Sequence, residues 1–195
     1  MYSTLKPSCW LDDLSKIRTT AQCKVNGTAA SLDDGYLALG QVFRDVRESG
    51  ATLWWVGNGG SAAICSHLSQ DAMNKLSVRS CHLNDPSLMS CMANDYGYEQ
   101  VYERPLRTLV RPGDVLIAIS SSGNSQNIVS CVELAKRKGM KVVSLSGFAE
   151  DNKLWQGESD IAFYLPGTLY GLVEVGHEAL LHAAIECLWH AESNA

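Results

Sequence analysis

Two stretches of the chain set histidines and carboxylates at helical spacing. His67 and Asp71 stand four residues apart in SHLSQDAMNK, and Glu174, His177, Glu178 and His182 fall within VEVGHEALLH. On a helix, residues three or four apart share a face about one turn apart. His67 therefore meets Asp71, Glu174 meets His177, and Glu178 meets His182. Imidazole with carboxylate is a donor set that suits zinc, and the same pair of groups moves protons in general acid–base catalysis. A plainer reading applies to several of these residues. His177, His82 and His190 read as core or surface histidines, and Glu178 reads as a solvated helix residue. Lys75 reads as an ordinary charge in the last turn of a helix. His67 and His182, each paired with a carboxylate, carry the case for chemistry.

Two loops carry a second kind of chemistry. WWVGNGGSAA spans Trp54–Ala63 and AISSSGNSQN spans Ala118–Asn127. Each lies where an apolar run gives way to a helical pattern. Glycine lets backbone approach an anion closely, and a helix start supplies unpaired N–H groups and a favourable dipole. Serine hydroxyls add donors without adding charge. The pair reads as a phosphate cradle that needs few lysines. Neither loop matches the glycine spacing of a dinucleotide site or of a P-loop. Taken singly, each is equally a tight turn whose serines cap a helix.

The elements that must position these residues alternate. Amphipathic stretches run from about Trp10 to Ala21 and from Ser31 to Gly50. Strands are expected at Thr52–Val56, Val78–Leu83, Asp114–Ile119, Met140–Leu145 and Asp160–Leu165. Helices are expected over Ser61–Lys75, from Pro86 onward, over Tyr98–Leu109, over Ser125–Lys138 and over Leu172–His190. Apolar strands alternating with helices predict a parallel sheet covered on both faces. Trp54 and Trp55 read as core and interface packing, and Cys65 as a small buried residue.

Composition narrows the function classes. The net charge is −5 and no dense Lys/Arg run occurs, so a nucleic-acid surface is not expected. The seven cysteines are odd in number and scattered without a CxxC, which argues against a disulfide framework and a zinc knuckle. The opening MYSTLKPSCWLDD has no apolar core of a signal peptide, and no stretch has the length of a membrane span. A cytoplasmic protein is the expectation.

GNGGS at Gly57–Ser61, SSSGNS at Ser120–Ser125 and the pair Asn94–Asp95 in CMANDYGYEQVY occur together. In combination they resemble the sugar isomerase (SIS) fold, and within it the phosphoheptose isomerases, from about Leu32 to the C-terminus. The resemblance implies an SIS-type, doubly wound α/β fold with a mostly parallel five-stranded sheet flanked by helices. It implies one domain over residues 1–195, with an N-terminal helical arm at about 1–50 and the α/β core at about 51–195. It implies isomerisation of sedoheptulose 7-phosphate to D-glycero-D-manno-heptose 7-phosphate through an enediol(ate), feeding activated heptose into lipopolysaccharide or capsule. It also implies a homotetramer with sites shared between subunits.

Residue by residue, the resemblance implies that Ser61, Ser120, Ser121, Ser122 and Ser125 hold the phosphate with Gly59 and Gly60. Asn58, Asn94, Asp95 and Glu174 would contact the sugar, and Lys75 stands where the family often has arginine. Asp71 and His182 would be the proton-transfer pair. His67, Asp71, Glu174 and His182 would bind the metal, zinc by its donors. Two positions depart from the pattern. The family's usual catalytic Glu is Asp71 here, one methylene shorter, and its usual Gln ligand is Glu174, which adds a negative charge. These departures leave two other readings open: a non-catalytic SIS module that senses a sugar phosphate or binds a protein, and an isomerase of a shorter ketose phosphate.

Overall fold

The computed structural model describes residues 6–194. The first five residues of the segment read above for a leader, and the last residue of the expected domain, lie outside it. Among the described residues no helix is long and apolar enough to cross a membrane.

In chain order the elements are α1 (Pro7–Thr20), β1 (Gln22–Val25), β2 (Thr28–Ala30), α2 (Leu32–Ser49), β3 (Leu53–Gly57), α3 (Gly60–Leu76) and β4 (Ser80–His82). They continue with α4 (Pro86–Tyr96), a 3₁₀ turn (Tyr98–Gln100), α5 (Glu103–Leu109), β5 (Val115–Ser120) and α6 (Gln126–Arg137). The last are β6 (Lys141–Gly147), α7 (Lys153–Gln156), β7 (Ile161–Leu165) and α8 (Tyr170–Ser193). They form one sheet in the order β2-β1-β7-β6-β5-β3-β4. The five strands expected from the sequence, β3 to β7, all pair in parallel.

The sheet has seven strands rather than five. Residues 22–30, expected as part of a helical arm, form an antiparallel hairpin that adds to β7 through Cys23 opposite Phe163. The turn is Asn26-Gly27, both at positive φ (50° and 76°). An Asn-Gly pair favours this primed turn because its twist matches that of the strands. The hairpin is thereby part of the sheet, while α1 lies on α8. The expected single helix over Tyr98–Leu109 is also broken. Pro105 has no N–H to give to the Val101 carbonyl, so the chain makes a 3₁₀ turn and restarts at Glu103. Pro105 then falls in the first helical turn, where no donor is needed.

Alternation along the central strands divides the core. Leu53, Trp55, Ile117, Ile119, Val143 and Leu145 face α1, α2, α3 and α8. Trp54, Val56, Leu116, Ala118 and Val142 face α5, α6 and the edge of α4. Both tryptophans are buried, as expected of packing residues. Each finds a partner for its ring N–H: Trp54 donates to Asp114 (3.0 Å) and Trp55 to Ser80 (2.8 Å). The helix ends follow local chemistry. Ser31 caps α2 by accepting from the Asp34 N–H, and Gly50 closes it in the left-handed region.

His177 anchors α8 on the sheet. It is fully buried, and its Nε2–H donates to the Ser146 carbonyl of β6 at 3.0 Å. Burial lowers its pKa to about 4, with the Ser146 bond opposing the shift. The folded chain thus keeps this imidazole neutral, while the unfolded chain takes up a proton below the ordinary value of 6.5. Its contribution to stability is complete above pH 6.5 and is lost as the pH falls toward 4, up to about 3 kcal/mol. Denaturant unfolding measured between pH 7 and pH 5 will show stability falling with pH. The fall will be flatter in His177→Gln, and an equal fall in both proteins would mean that this imidazole is not held neutral.

Candidate functional site

The site begins at a reversal of strand order. β3 and β5 are neighbours, paired in parallel with Gly57 opposite Ile119. From β3 the chain crosses through α3 to β4 on one side. From β5 it crosses through α6 to β6 on the other. The two helices leave to opposite faces, so a crevice opens beyond the carboxyl ends of β3 and β5, where open α/β sheets bind ligands.

Both sequence-predicted loops line this crevice. A cavity of about 270 Å³ is bounded by Asn58, Gly59, Gly60 and Ser61 from the first loop and by Ser120, Ser121, Ser122 and Ser125 from the second. Glu174 closes the other wall. Ile119 and Tyr170 also line it and were not anticipated. Gly59 has φ +54°, and a Cβ on Gly57 would come within 2.8 Å of the Ser61 backbone, so this turn closes only with glycine.

Three hydroxyls converge in the second loop. Ser120 Oγ lies 3.2 Å from Ser125 Oγ and 3.4 Å from Ser122 Oγ. Ser121 Oγ is buried without a hydrogen-bond partner, a state that a bound acceptor would relieve. Neither α3 nor α6 has a side-chain cap at its start: α3 follows Gly59, which has no side chain, and the Ser125 hydroxyl before α6 accepts from Ser120 instead. Both helices therefore present free N–H groups and positive dipole ends at the crevice. Among the described residues no lysine or arginine lines the cavity. What it offers is a set of neutral donors suited to a phosphate.

Asn58 and Asn127 tie the loops together. Each amide donates to the other's oxygen, at 2.9 and 2.8 Å, and Tyr98 Oη donates to Asn58 Oδ1 at 3.1 Å. Asn127 is buried in this clasp. Its place in the SQN that follows the serine loop was a signal for it, but the partner across the sheet was not visible there.

The histidines and carboxylates lie along the seam of α3 and α8, which run side by side in the same direction. A Cβ on Gly60 would collide with the Glu174 carboxylate, so Glu174 sits against the start of α3. Farther along, His67 and His182 have ring centroids 5.1 Å apart. His182 Nδ1 lies 3.6 Å from Asp71 Oδ2. Lys75 bridges Asp71 (3.0 Å) and Glu186 (2.8 Å). These hydrogen bonds, Glu186 first, hold the Lys75 ammonium above its usual range and Glu186 below its own.

Ligand atoms of His67, Glu178 and His182 lie within 4.8 Å of one another, a group that fits a metal ion. Glu178, read from sequence as a solvated residue, joins it, whereas Glu174 lies one turn away at Gly60 and Asp71 is engaged by Lys75. The remaining expected contacts are spread more widely. Lys75 is about 21 Å down α3 from Ser61. Asn94 and Asp95 bond to each other (2.8 Å) on the exposed helix α4, outside the cavity. Cys65 is fully buried, and burial pushes its thiol far above the usual range, which leaves no nucleophile there.

Comparison with known proteins gives the same direction. Residues 24–147 match the family model for the SIS domain. A phosphoheptose isomerase from Tolumonas auensis is 41% identical over 115 residues, which are 56% of this chain and 59% of that protein. The matched part thus spans under two thirds of that relative. A phosphoheptose isomerase from Cytophaga hutchinsonii is 38% identical over 66% of this chain and 70% of its own length. The solved structure of a phosphoheptose isomerase from Neisseria gonorrhoeae superposes with a TM-score of 0.78 at 25% identity, covering 93% of each chain. With the SIS model covering more than half of its length and a 38% identical relative matched over 70%, the chain belongs to the phosphoheptose isomerase family of SIS-domain proteins.

Proposed function

We propose that the protein isomerises a ketose phosphate, sedoheptulose 7-phosphate, to the heptose 7-phosphate through an enediol(ate). One observation carries this beyond family membership: the phosphate cradle and the acid–base seam share one helix at a defined separation. Ser61 and His67 both lie on α3, so about 9 Å of axial rise separates them. An extended chain advances roughly 1.2 Å per bond. Seven bonds separate C2 from the phosphorus of a ketose 7-phosphate, giving about 8 Å by the same measure. With the phosphate at the serines, C1 and C2 come level with His67, the first residue of the seam; Asp71 lies one turn farther along α3, about 15 Å from Ser61.

In this reading Ser61, Ser120, Ser121, Ser122 and Ser125 receive the phosphate, with the N–H groups at the starts of α3 and α6. Asn58 and Glu174 face the sugar hydroxyls next to the cradle. Asp71 and His182 are the proton-transfer pair. The Asp71 carboxylate takes the proton from one carbon and returns it to the other, held between the Lys75 ammonium and the His182 ring. Moving a proton this way contributes about 10²- to 10⁴-fold in rate. The seam also suits a divalent cation, zinc by its donors, held by His67 and His182 with a carboxylate; such an ion supplies charge stabilisation at the substrate oxygens.

The same reading extends to assembly. Lys75, Asn94 and Asp95 lie away from their own chain's cavity, and exposed apolar groups on α2 and α8, among them Leu37 and Trp189, offer surface for contact. Both features agree with a homotetramer in which a neighbour completes each site. The composition and the biosynthetic role implied by the resemblance agree with a cytoplasmic location.

The test is turnover of sedoheptulose 7-phosphate by the purified protein, with aldose and ketose separated by chromatography. Turnover is expected, and Asp71→Asn will lower kcat by about 100-fold or more with KM little changed. Ser120→Ala will act mainly on KM, raising it by about 10-fold, the loss of one hydrogen bond to a charged group. Absence of turnover with any divalent metal, while the sugar phosphate still binds, would replace the isomerase with a sugar-phosphate sensor.

A further inference from the structure

We propose that Asn127 is a positioning residue for ligand recognition: it locks the Asn58 side-chain amide in one sense, so that Asn58 offers a bound sugar phosphate an N–H donor and no acceptor. Asn127 itself is not one of the residues that line the cavity. This role rests on the isomerase reading only in taking a sugar phosphate as the ligand.

The hydrogen bonds of Asn58 decide what it has left to give. A side-chain amide has two N–H donors and an oxygen with two lone pairs. Asn58 Oδ1 accepts from Asn127 Nδ2 at 2.8 Å and from Tyr98 Oη at 3.1 Å, so both lone pairs are taken. Asn58 Nδ2 gives one hydrogen to Asn127 Oδ1 at 2.9 Å. Its second hydrogen has no partner among the described residues, and Asn58 stands on the cavity wall. What remains for a ligand is one N–H, which calls for an oxygen acceptor. Reversing either amide alone would set oxygen against oxygen and nitrogen against nitrogen. Reversing both together would turn the Asn58 oxygen toward the cavity, where a phosphate brings negative charge, and would take the acceptor from the Tyr98 hydroxyl.

Asn127 is the fixed half of the pair. It lies in the first turn of α6, is 3% exposed, and its backbone carbonyl accepts from the Cys131 thiol at 3.0 Å. Asn58 is the adjustable half, half-buried in the turn between β3 and Gly59. The two bonds between the amides oppose rotation about its terminal torsion, which is otherwise broad. A cavity lined by neutral donors depends on their being aimed before the ligand arrives. The same pairing shows how to test the lock. A protonated carboxylic acid has one donor and one acceptor side by side, as an amide does, whereas a carboxylate has acceptors alone. Asn127→Asp therefore rebuilds the pair only while its carboxyl holds a proton, and burial at this position favours the protonated form. Tyr98 touches Asn58, the Cys131 thiol touches the Asn127 carbonyl, and Tyr102 donates to the neighbouring Gly57 carbonyl at 2.6 Å. Burial pushes both Cys131 and Tyr102 up, so both stay protonated, and Glu103 beside Cys131 is already paired with Arg107 at 2.7 Å.

The experiment is calorimetric titration of the full chain with sedoheptulose 7-phosphate and with fructose 6-phosphate, from about pH 5.5 to 8.5. Each variant is compared with wild type at the same pH, which removes the titration of the phosphate itself near pH 6. Asn127→Leu will weaken binding by about 10-fold at every pH, the loss of one directed hydrogen bond. Asn127→Asp will match wild type at the acid end and weaken past Asn127→Leu as the pH rises and its carboxyl ionises. Asn127→Leu carries no charge, so recovery of Asn127→Asp above it at low pH reports the rebuilt pair rather than lost repulsion. Tyr98 is exposed, and Tyr98→Phe tests the same lock without touching the core: it will weaken binding by about 3-fold. Circular dichroism and thermal melts show that each variant is folded. The assignment is overturned if Asn127→Leu and Tyr98→Phe bind like wild type, if Asn127→Asp stays at the level of Asn127→Leu at the acid end, or if wild type binds neither sugar phosphate. The full binding pattern without turnover refutes only the isomerase. Turnover with a wild-type Kd in Asn127→Leu refutes only this role for Asn127.

Discussion

The site depends on the pairing of β3 with β5. Five paired positions in parallel register, from Leu53 opposite Val115 to Gly57 opposite Ile119, hold the ends of these strands level. Because α3 and α6 leave toward opposite faces, two uncapped helix starts and two glycine–serine loops meet at one crevice. The Asn58–Asn127 amide pair fastens the loops across it. If the register slipped by one residue, Trp54 and Trp55 would exchange faces and both halves of the core would be lost along with the cradle.

Electrostatics divides the crevice from the seam. The cavity between the loops is lined by hydroxyls and backbone N–H groups, donors that can meet an anion without the desolvation cost of a buried lysine. The charges are concentrated farther along α3 and α8, where the chain Glu186–Lys75–Asp71–His182 runs from one helix to the other and back. Among the described residues Glu174 is the one carboxylate at the cavity wall. Its carboxylate packs against Gly60 at the start of α3. His177, on the same helix, is kept neutral by burial and contributes to anchoring rather than to chemistry.

Much of the fold was legible because its signals are local. The apolar runs of β3, β5, β6 and β7 end at glycine or serine turns. α2 carries its own start at Ser31 and stop at Gly50. The hairpin was missed although Asn26-Gly27 signals it, since the flanking strands are too short and too exposed to show an alternating pattern. The break before α5 follows from Pro105, whose effect depends on where a helix would otherwise begin. At the site, the loops were found because glycine and serine act where they stand in the chain. The seam was harder. Which face of α8 meets α3 is decided by packing, so Glu178 beside His67 and Glu174 beside Gly60 could not be told apart by spacing. Asn127 was hidden for the same reason, its partner lying on another strand's loop.

The central claim is that a proton is moved between neighbouring carbons of a bound ketose phosphate. The most direct measurement is proton NMR of sedoheptulose 7-phosphate incubated with the protein in deuterium oxide. Transfer through an enediol(ate) at a solvent-exchanging carboxylate predicts deuterium at C2 of the aldose product, and back-exchange at C1 of the remaining ketose. An aldose product that carries no deuterium would mean that the hydrogen reaches C2 without passing through a base open to solvent, and a ketose that is neither converted nor exchanged would mean that the seam performs no proton transfer. Either result would contradict the account.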